Sequence, residues 1–459
     1  MQSLIDTGGP WQEARLIGNC LCLLGDNAEI LPTLPTYFFD AIVTDPPAGI
    51  GFMNLEWDRD KGGRDAWIQW MQEVADQHIR ACKPGAHALV WSLPRTSHWT
   101  ATAWENANWT IRDRVSHCFS QGFPKSLDIS RAIDQKFGHV REVVGRYVRP
   151  DGSQRHNTEK HEGSSFQCGS NDKDITAPVS EFAQRYAGFG TNLKPAIEDW
   201  WLFRAPLSEK TIIDNVLKWG TAGLNIDACR IPTEDYLACP AASKSSKNCP
   251  GGAFGNPLAK GRPIVGIFNQ QTLGRFPSHL IHDGSEEVLS CFPDAPGQLA
   301  DISETAPSPK TSGIYGPMKR QGELSQDSEN QGAVGFHMKP GTRRLDSGSA
   351  ARFFYCAKSS SRERGKDNIH PTVKPLALMK YLITLVTPPH GILLDPFMGS
   401  GSTLVAATML GVSAVGIEQD PGYYKIACHR IEEAIEKQRD LFTPQKQETS
   451  HINLYEQEN

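Results

Sequence analysis

Apolar positions cluster into short runs and amphipathic stretches concentrated at the two ends of the chain. Near the N-terminus, Phe38-Phe39-Asp40-Ala41-Ile42-Val43-Thr44 reads as a buried strand. Asp45-Pro46-Pro47 must end it, because proline cannot continue a central ladder. Helical periodicity covers Asp65 to Cys82, where Lys83-Pro84-Gly85 stops it, and returns from Ser97 to Asn106. His87 to Trp91 and Trp109 to Phe119 read as strands, and Leu193 to Pro206, with Trp200-Trp201-Leu202-Phe203, as a structured stretch. Order returns at Ala351 to Cys356. Beyond it come a helix from Leu376 to Val386, a strand from Ile392 to Leu394, a helix from Ser402 to Leu410, a strand from Val412 to Ile417 and a helix from Pro421 to Lys437. The segments 149–177, 232–262 and 296–350 are polar and rich in Ser, Gly, Asn and Asp, so they predict exposed loops. Residues 15–40 carry only short apolar pieces, and the last twenty residues read as a polar tail.

Strand, loop, helix, strand and then an acid, Glu418, is the first half of a nucleotide-type α/β fold. In open sheets of that kind ligands bind at the carboxyl ends of strands. Asp45 and Glu418 are both placed there.

With 459 residues the chain can bury a large core, and length alone suggests about three domains. A net charge of −5 counts mildly against nucleic acid, although phosphate contact needs only a local basic stripe. Lys339, Arg343 and Arg344, or the run from Lys358 to Lys366, would supply one. The 11 cysteines show no zinc-ligand spacing, including Cys20-x-Cys22 and the pair Cys239 and Cys249. They read as reduced thiols of a cytoplasmic protein, and no metal is expected. No signal peptide is apparent and no run approaches 18 apolar residues, so no membrane partner is expected.

The chemistry sits in two motifs. The first is Asp45-Pro46-Pro47-Ala48. The second is Asp395-Pro396-Phe397-Met398-Gly399-Ser400-Gly401-Ser402-Thr403. Gly399 and Gly401 allow a tight turn and close approach of backbone to a ligand, and Ser402 is placed to cap the following helix. Glu418 is positioned to take both hydroxyls of a ribose. The absence of Gly-x-x-x-x-Gly-Lys-Ser/Thr argues against a phosphate cradle.

Asp395 to Thr403 resembles the S-adenosylmethionine loop of a methyltransferase, and Asp45 to Ala48 resembles the Asp-Pro-Pro-aromatic motif of enzymes that methylate an exocyclic amine of a DNA base. Catalytic motif first and cofactor motif last is the permuted order of the beta class of DNA amino-methyltransferases. Phe123 to Asp128, Leu193 to Ala196 and Gly274 to Ser278 are similar in character to members carried by phages and mobile elements. The resemblance implies a Rossmann-like methyltransferase sheet interrupted by a target-recognition insertion. Its expected divisions are 15–148 (catalytic half), 149–350 (insertion), 351–438 (cofactor half) and 439–459 (tail).

It also implies roles. Asp45 and a backbone carbonyl held by Pro46 and Pro47 would accept the two amine hydrogens, turning the nitrogen lone pair toward the methyl group. The base must leave the double helix to reach them. In His370-Pro371-Thr372-Val373-Lys374-Pro375, residues Thr372 and Lys374 would contact the methionine carboxylate, and His370 belongs to the same segment. Asp395, Pro396, Phe397, Gly399, Ser400, Gly401, Ser402, Thr403 and Glu418 would line the cofactor site. The chain departs from the pattern at Ala48, where the family has an aromatic residue that stacks on the flipped base; Phe52 or Trp57 would have to replace that ring. Phe123, Lys125, Lys194, Arg275 and Arg352 are candidates to line a DNA channel.

The leading expectation is therefore adenine-N6 methylation of duplex DNA, with cytosine-N4 second, since both amines present the same geometry to Asp45. A DNA-binding relative that has lost turnover through Ala48 is a third reading. Ring-carbon methylation would need a nucleophilic cysteine after a proline, and no Pro-Cys pair exists. Methyltransferases acting on RNA or on protein glutamine usually carry Asn first and the opposite motif order. Relatives in the class are often homodimers, but neither an oligomeric state, nor a restriction partner, nor a recognition sequence is legible here.

Overall fold

The computed structural model of the protein describes residues 1–51, 55–120, 122, 126–146, 174–233, 274–294, 311–313, 316–318, 348–358 and 373–442. In chain order the strands are β1 (Glu13–Ile17), β2 (Cys20–Leu24), β3 (Phe39–Thr44), β4 (Cys82–Ser92), β5 (Thr110–Cys118), β6 (Val143–Arg146), β7 (Asp174–Thr176), β8 (Ile197–Arg204), β9 (Leu280–His282), β10 (Thr311–Gly313), β11 (Gly316–Met318), β12 (Tyr355–Cys356), β13 (Ile392–Asp395) and β14 (Ser413–Glu418). Ten of them form one mixed sheet in the order β1-β2-β14-β13-β3-β4-β8-β5-β9-β12. The others make two small antiparallel pairs, β6 with β7 and β10 with β11.

The sheet joins the two ends of the chain. β13 lies parallel to β3, with Leu393 opposite Ala41 and Leu394 opposite Ile42. From β3 the sequence continues to β4 on one side, and from β13 to β14 on the other. This is a topological switch point, where a crevice opens at the carboxyl ends of the strands. Asp45 follows β3 and Asp395 ends β13, so residues 350 positions apart in sequence become neighbours at that crevice.

These central strands are apolar on both faces because helices cover both sides. Ala41, Val43, Leu89 and Leu393 pack with the helices Leu376–Val386, Ser402–Leu410 and Pro421–Phe442. Ile42, Ala88, Val90 and Leu394 pack on the opposite face with Trp67, Met71, Val74 and Ala75 of the helix Arg64–Ala81 and with Trp104 of the helix Ser97–Asn106.

The expected division at 149 and 350 does not follow this sheet. β8 and β9 come from within the anticipated insertion, yet β8 lies antiparallel between β4 and β5, in the interior of the sheet. The run Trp200-Trp201-Leu202-Phe203 suits that place: Trp200 and Phe203 are fully buried in the cores on opposite faces of the sheet, as a strand covered on both sides requires. Likewise Cys20 and Cys22 lie buried in β2, a strand that the short apolar pieces of 15–40 do not announce. No helix among the described residues is long and apolar enough to cross a membrane.

Candidate active site

A cavity of about 1150 Å³ opens at the switch point. Both motifs line it: Asp45 to Ala48 from β3, and Asp395 to Ser400, Ser402, Thr403 and Glu418 from β13, the next helix and β14. Small-molecule sites typically measure roughly 300–1000 Å³. This one is larger than a single small ligand requires.

The two strand tips are bonded to each other. Thr44 donates from its hydroxyl to Asp395 Oδ1 at 2.7 Å, and the Phe397 N–H reaches the same oxygen at 3.2 Å. Burial pushes the Asp395 carboxyl up to about 6, against the pull of these donors and of Thr403. At the tip of β14, Glu418 accepts from the Gly399 N–H at 2.8 Å and from the Asp420 N–H at 2.8 Å. Burial pushes its carboxyl to about 7.

The glycine turn is built differently from the expectation. Gly401 itself caps the helix, in a left-handed conformation with φ of 79°, and no side chain makes a capping hydrogen bond. Ser402 is the first helical residue, one position too late to cap, and its hydroxyl accepts from the Arg430 guanidinium at 3.2 Å. Packing also demands a glycine at 401: a Cβ there would lie 2.8 Å from the Cβ of Ala427 on the helix Pro421–Phe442. Gly401→Ala is therefore expected to lower stability by about 2–4 kcal/mol, combining a left-handed backbone penalty with overpacking. Denaturant titration measures it.

Arg430 was not foreseen. It is buried on the inner face of the same helix and also bonds the Ser400 carbonyl and hydroxyl, the latter at 3.0 Å. An arginine among the core-facing positions Ala427, Ile431 and Ala434 was the available signal.

Asp45 meets an unexpected partner. The Lys374 ammonium lies 2.8 Å from Asp45 Oδ2, and the lysine side chain is only 8% exposed. The same ammonium sits 4.0 Å from the centre of the Trp91 ring. Desolvation works to lower the Lys374 pKa, but the Asp45 and Glu198 carboxylates outweigh it and the net shift is upward. Burial raises the Asp45 carboxyl, and Lys374 pulls it back only in part. The resemblance gives Lys374 to the methionine carboxylate; the fold sets its charge against Asp45.

The loop after Asp45 is fastened from outside the motif. The buried Asp58 carboxylate accepts from the Ala48 N–H at 2.6 Å and the Gly49 N–H at 3.1 Å, while the Thr96 hydroxyl donates to the Ala48 carbonyl at 2.9 Å. Trp57 lines the cavity together with Tyr423, which belongs to the helix that follows Glu418. Trp91, not singled out from sequence, is the aromatic ring beside the Asp45–Lys374 pair. Phe52, His370 and Thr372 lie outside the described residues, as do Phe123, Lys125, Lys339, Arg343, Arg344 and 359–366.

Of the DNA-channel candidates, Lys194 lines the cavity. Arg275 does not face a channel: it is 9% exposed, and its guanidinium packs 4.5 Å from the centre of the Phe353 ring. Arg352 stacks at 4.4 Å on that same ring. The phenyl group offers each guanidinium a cation–π contact, which draws both into a local cluster.

Parts of the chain are similar to known proteins. A 77-residue stretch is 47% identical to the type II methyltransferase M.HindIII of Haemophilus influenzae, covering 17% of this chain and 24% of that protein. A 62-residue stretch is 45% identical to the methylase YubD of Escherichia coli, covering 14% of this chain and 27% of that protein. The matches thus span about a quarter of these curated relatives. Among solved structures, PvuII DNA methyltransferase (cytosine-N4-specific) aligns over 93% of this chain and 94% of that one at 12% identity, with a TM-score of 0.40. The M1.HpyAVI–S-adenosylmethionine complex aligns over 90% of this chain and 99% of that one at 14% identity, with a TM-score of 0.34. At these scores the likeness adds nothing to the strand order already described. A family model for DNA methylases of the N6/N4 type matches residues 39–429, from the start of β3 to the last helix, and the chain belongs to that family.

Proposed function

We propose that the protein transfers a methyl group from S-adenosylmethionine to the exocyclic N6 amine of adenine in duplex DNA. The observation that carries this reading is the convergence of Asp45 with Glu418 and the Gly399–Ser402 turn on one cavity from adjacent strand tips. The family is one of S-adenosylmethionine-dependent enzymes, and the residues present suit that cofactor. Glu418 stands at a strand tip where ribose hydroxyls bind. Phe397, Met398, Ile417 and Tyr423 give apolar and aromatic surface for an adenine ring. When bound, the cofactor supplies an electrophilic methyl group.

The chain's own residues do the rest by position and charge. An exocyclic amine is a weak nucleophile because its lone pair is delocalised into the ring. Asp45, accepting one N–H, draws the nitrogen toward tetrahedral geometry and stabilises the positive charge that develops there. The nitrogen sheds one proton in the reaction, and the Asp45 carboxylate is the acceptor at hand. Asp58 and Thr96 keep the Pro46–Pro47–Ala48 backbone in place while this happens. Ala48 cannot stack on the base, but Trp91 brings an aromatic ring to the same end of the cavity.

Aspartate at the first motif position favours adenine. Cytosine-N4 remains the second reading, because its amine would meet the same carboxylate. Offering unmethylated duplex DNA and methyl-labelled S-adenosylmethionine tests the proposal. Label recovered in DNA supports it; cofactor binding without label in DNA favours a relative that binds DNA without turnover.

The Glu418 carboxyl adds a pH expectation. It must be ionised to accept two hydroxyl donors, so cofactor affinity should strengthen as pH rises through about 7. Stability of the ligand-free protein should move oppositely. The folded state retains a proton that an unfolded glutamate releases near pH ~4.3, so this group's contribution is full below that value and lost as pH rises through the folded pKa. Calorimetric titration with cofactor and melting curves without it, each at several pH values and beside Glu418→Gln, check the two expectations.

A further inference from the structure

Leu193 is 92% exposed, yet it lines the rim of the cavity that holds Asp45. A single exposed leucine on a mobile surface loop would need no explanation. This one is carried on backbone fixed from several sides. The Thr191 N–H donates to the Ser126 hydroxyl at 2.9 Å, and the Leu127 N–H donates back to the Thr191 hydroxyl at 3.0 Å. Gly190 approaches Ser126 so closely that a Cβ would fall 2.2 Å from its Oγ. Beyond the leucine, the Phe119 N–H donates to the Ala196 carbonyl at 3.0 Å, and Gly122 packs against the Pro195 carbonyl with no room for a Cβ. Pro195 itself has a locked φ. Next to the leucine, Lys194 lines the same cavity and supplies a cation for a phosphate.

The geometry points to Leu193 as the side chain that enters the DNA stack when the target base leaves it. This rests on the reading of the protein as a methyltransferase acting on a flipped base. A base that swings into the cavity leaves a gap bounded by the flat apolar faces of its neighbours, and filling that gap offsets part of the unstacking cost. Apolar side chains do this in proteins that open base steps. The leucine stands at the entrance through which the base must pass, so the wedge and the pocket act on the same nucleotide. Its exposure in the free protein then has a cause, since its partner is the duplex.

Once sequencing of DNA methylated by the parent has mapped the target, Leu193→Ala and Leu193→Met should be compared with the parent on two duplexes carrying it. In one the target base is paired; in the other it faces an abasic site, where flipping costs less. On the paired duplex Leu193→Ala should lose about tenfold in kcat/KM, and on the abasic duplex it should come within about twofold of the parent. Leu193→Met, which conserves volume, should stay near the parent on both. Equal losses on the two duplexes would reduce Leu193 to a general contact and overturn the wedge, as would no loss on the paired one. A parent protein that methylates no DNA, so that no target can be mapped, overturns the functional reading itself, and the wedge falls with it.

Discussion

Asp45→Asn is expected to lower the rate of methyl transfer by roughly 10²–10⁴-fold while leaving cofactor affinity within a small factor of the parent. Asparagine keeps the shape and one acceptor oxygen but presents neither the charge that stabilises the amine nitrogen nor a site for its proton. The cofactor loop is held by other residues, Glu418 on Gly399 and Arg430 on Ser400 and Ser402, so its shape does not depend on Asp45. Asparagine is a better probe than alanine. Removing the carboxylate leaves the Lys374 ammonium buried without its partner at 2.8 Å, and breaking a buried pair costs about 3–5 kcal/mol. The amide oxygen of the Asp45→Asn variant would still accept a hydrogen bond from that ammonium, so less of this penalty would contaminate the kinetics. Single-turnover rates, calorimetric cofactor titration and a melting curve on the same preparation separate the effects. An undiminished rate would remove Asp45 from catalysis.

The second large effect is expected at Lys374, where two roles predict different readouts. If the ammonium serves Asp45, Lys374→Met leaves a buried carboxylate facing Glu198 and Asp58, and both neighbours raise its pKa further. The acid limb of the rate profile should then move to higher pH, with the rate recovering as pH rises. The stability loss should follow the opposite course. It should be largest at neutral and alkaline pH, where Asp45 would have to be ionised without a counter-charge, and shrink as pH falls and the carboxyl protonates. If the lysine served only the methionine carboxylate, the profile would keep its shape and cofactor affinity alone would fall. Lys374→Arg should restore the charge and much of the pH profile, with imperfect geometry over Trp91.

What the sequence carried and what it hid follow a physical pattern. Segments that satisfy their own rules locally were legible. The strand ending at Asp45 shows as an apolar run stopped by two prolines, and the helix Ser97–Asn106 shows by period. The motifs at Asp45 and Asp395 were readable as strings, and their order suggested that the chain's ends would meet. The sheet brings them together as neighbouring strands. Features that depend on distant pairing were not legible. β8 was visible as an aromatic run, but nothing local says that it inserts antiparallel between β4 and β5, so residues assigned to an insertion turned out to build the sheet. Asp58 looks like any loop acid until its carboxylate is seen holding the Ala48 and Gly49 amides. Lys374 reads as a cofactor contact, and nothing local says that the fold also sets its ammonium on Asp45. The cap expected of Ser402 failed because Gly401 already occupies that position with a backbone conformation that serine rarely adopts.

Whether Asp45 directs methylation to an exocyclic amine is decided by nucleoside mass spectrometry. Unmethylated genomic DNA is incubated with the protein and S-adenosylmethionine, digested and analysed beside the Asp45→Asn variant. N6-methyladenine is expected with the parent and little or none with the variant; N4-methylcytosine would keep the mechanism and change the base. Methylation at a ring carbon, or an equal yield from parent and variant, would contradict it.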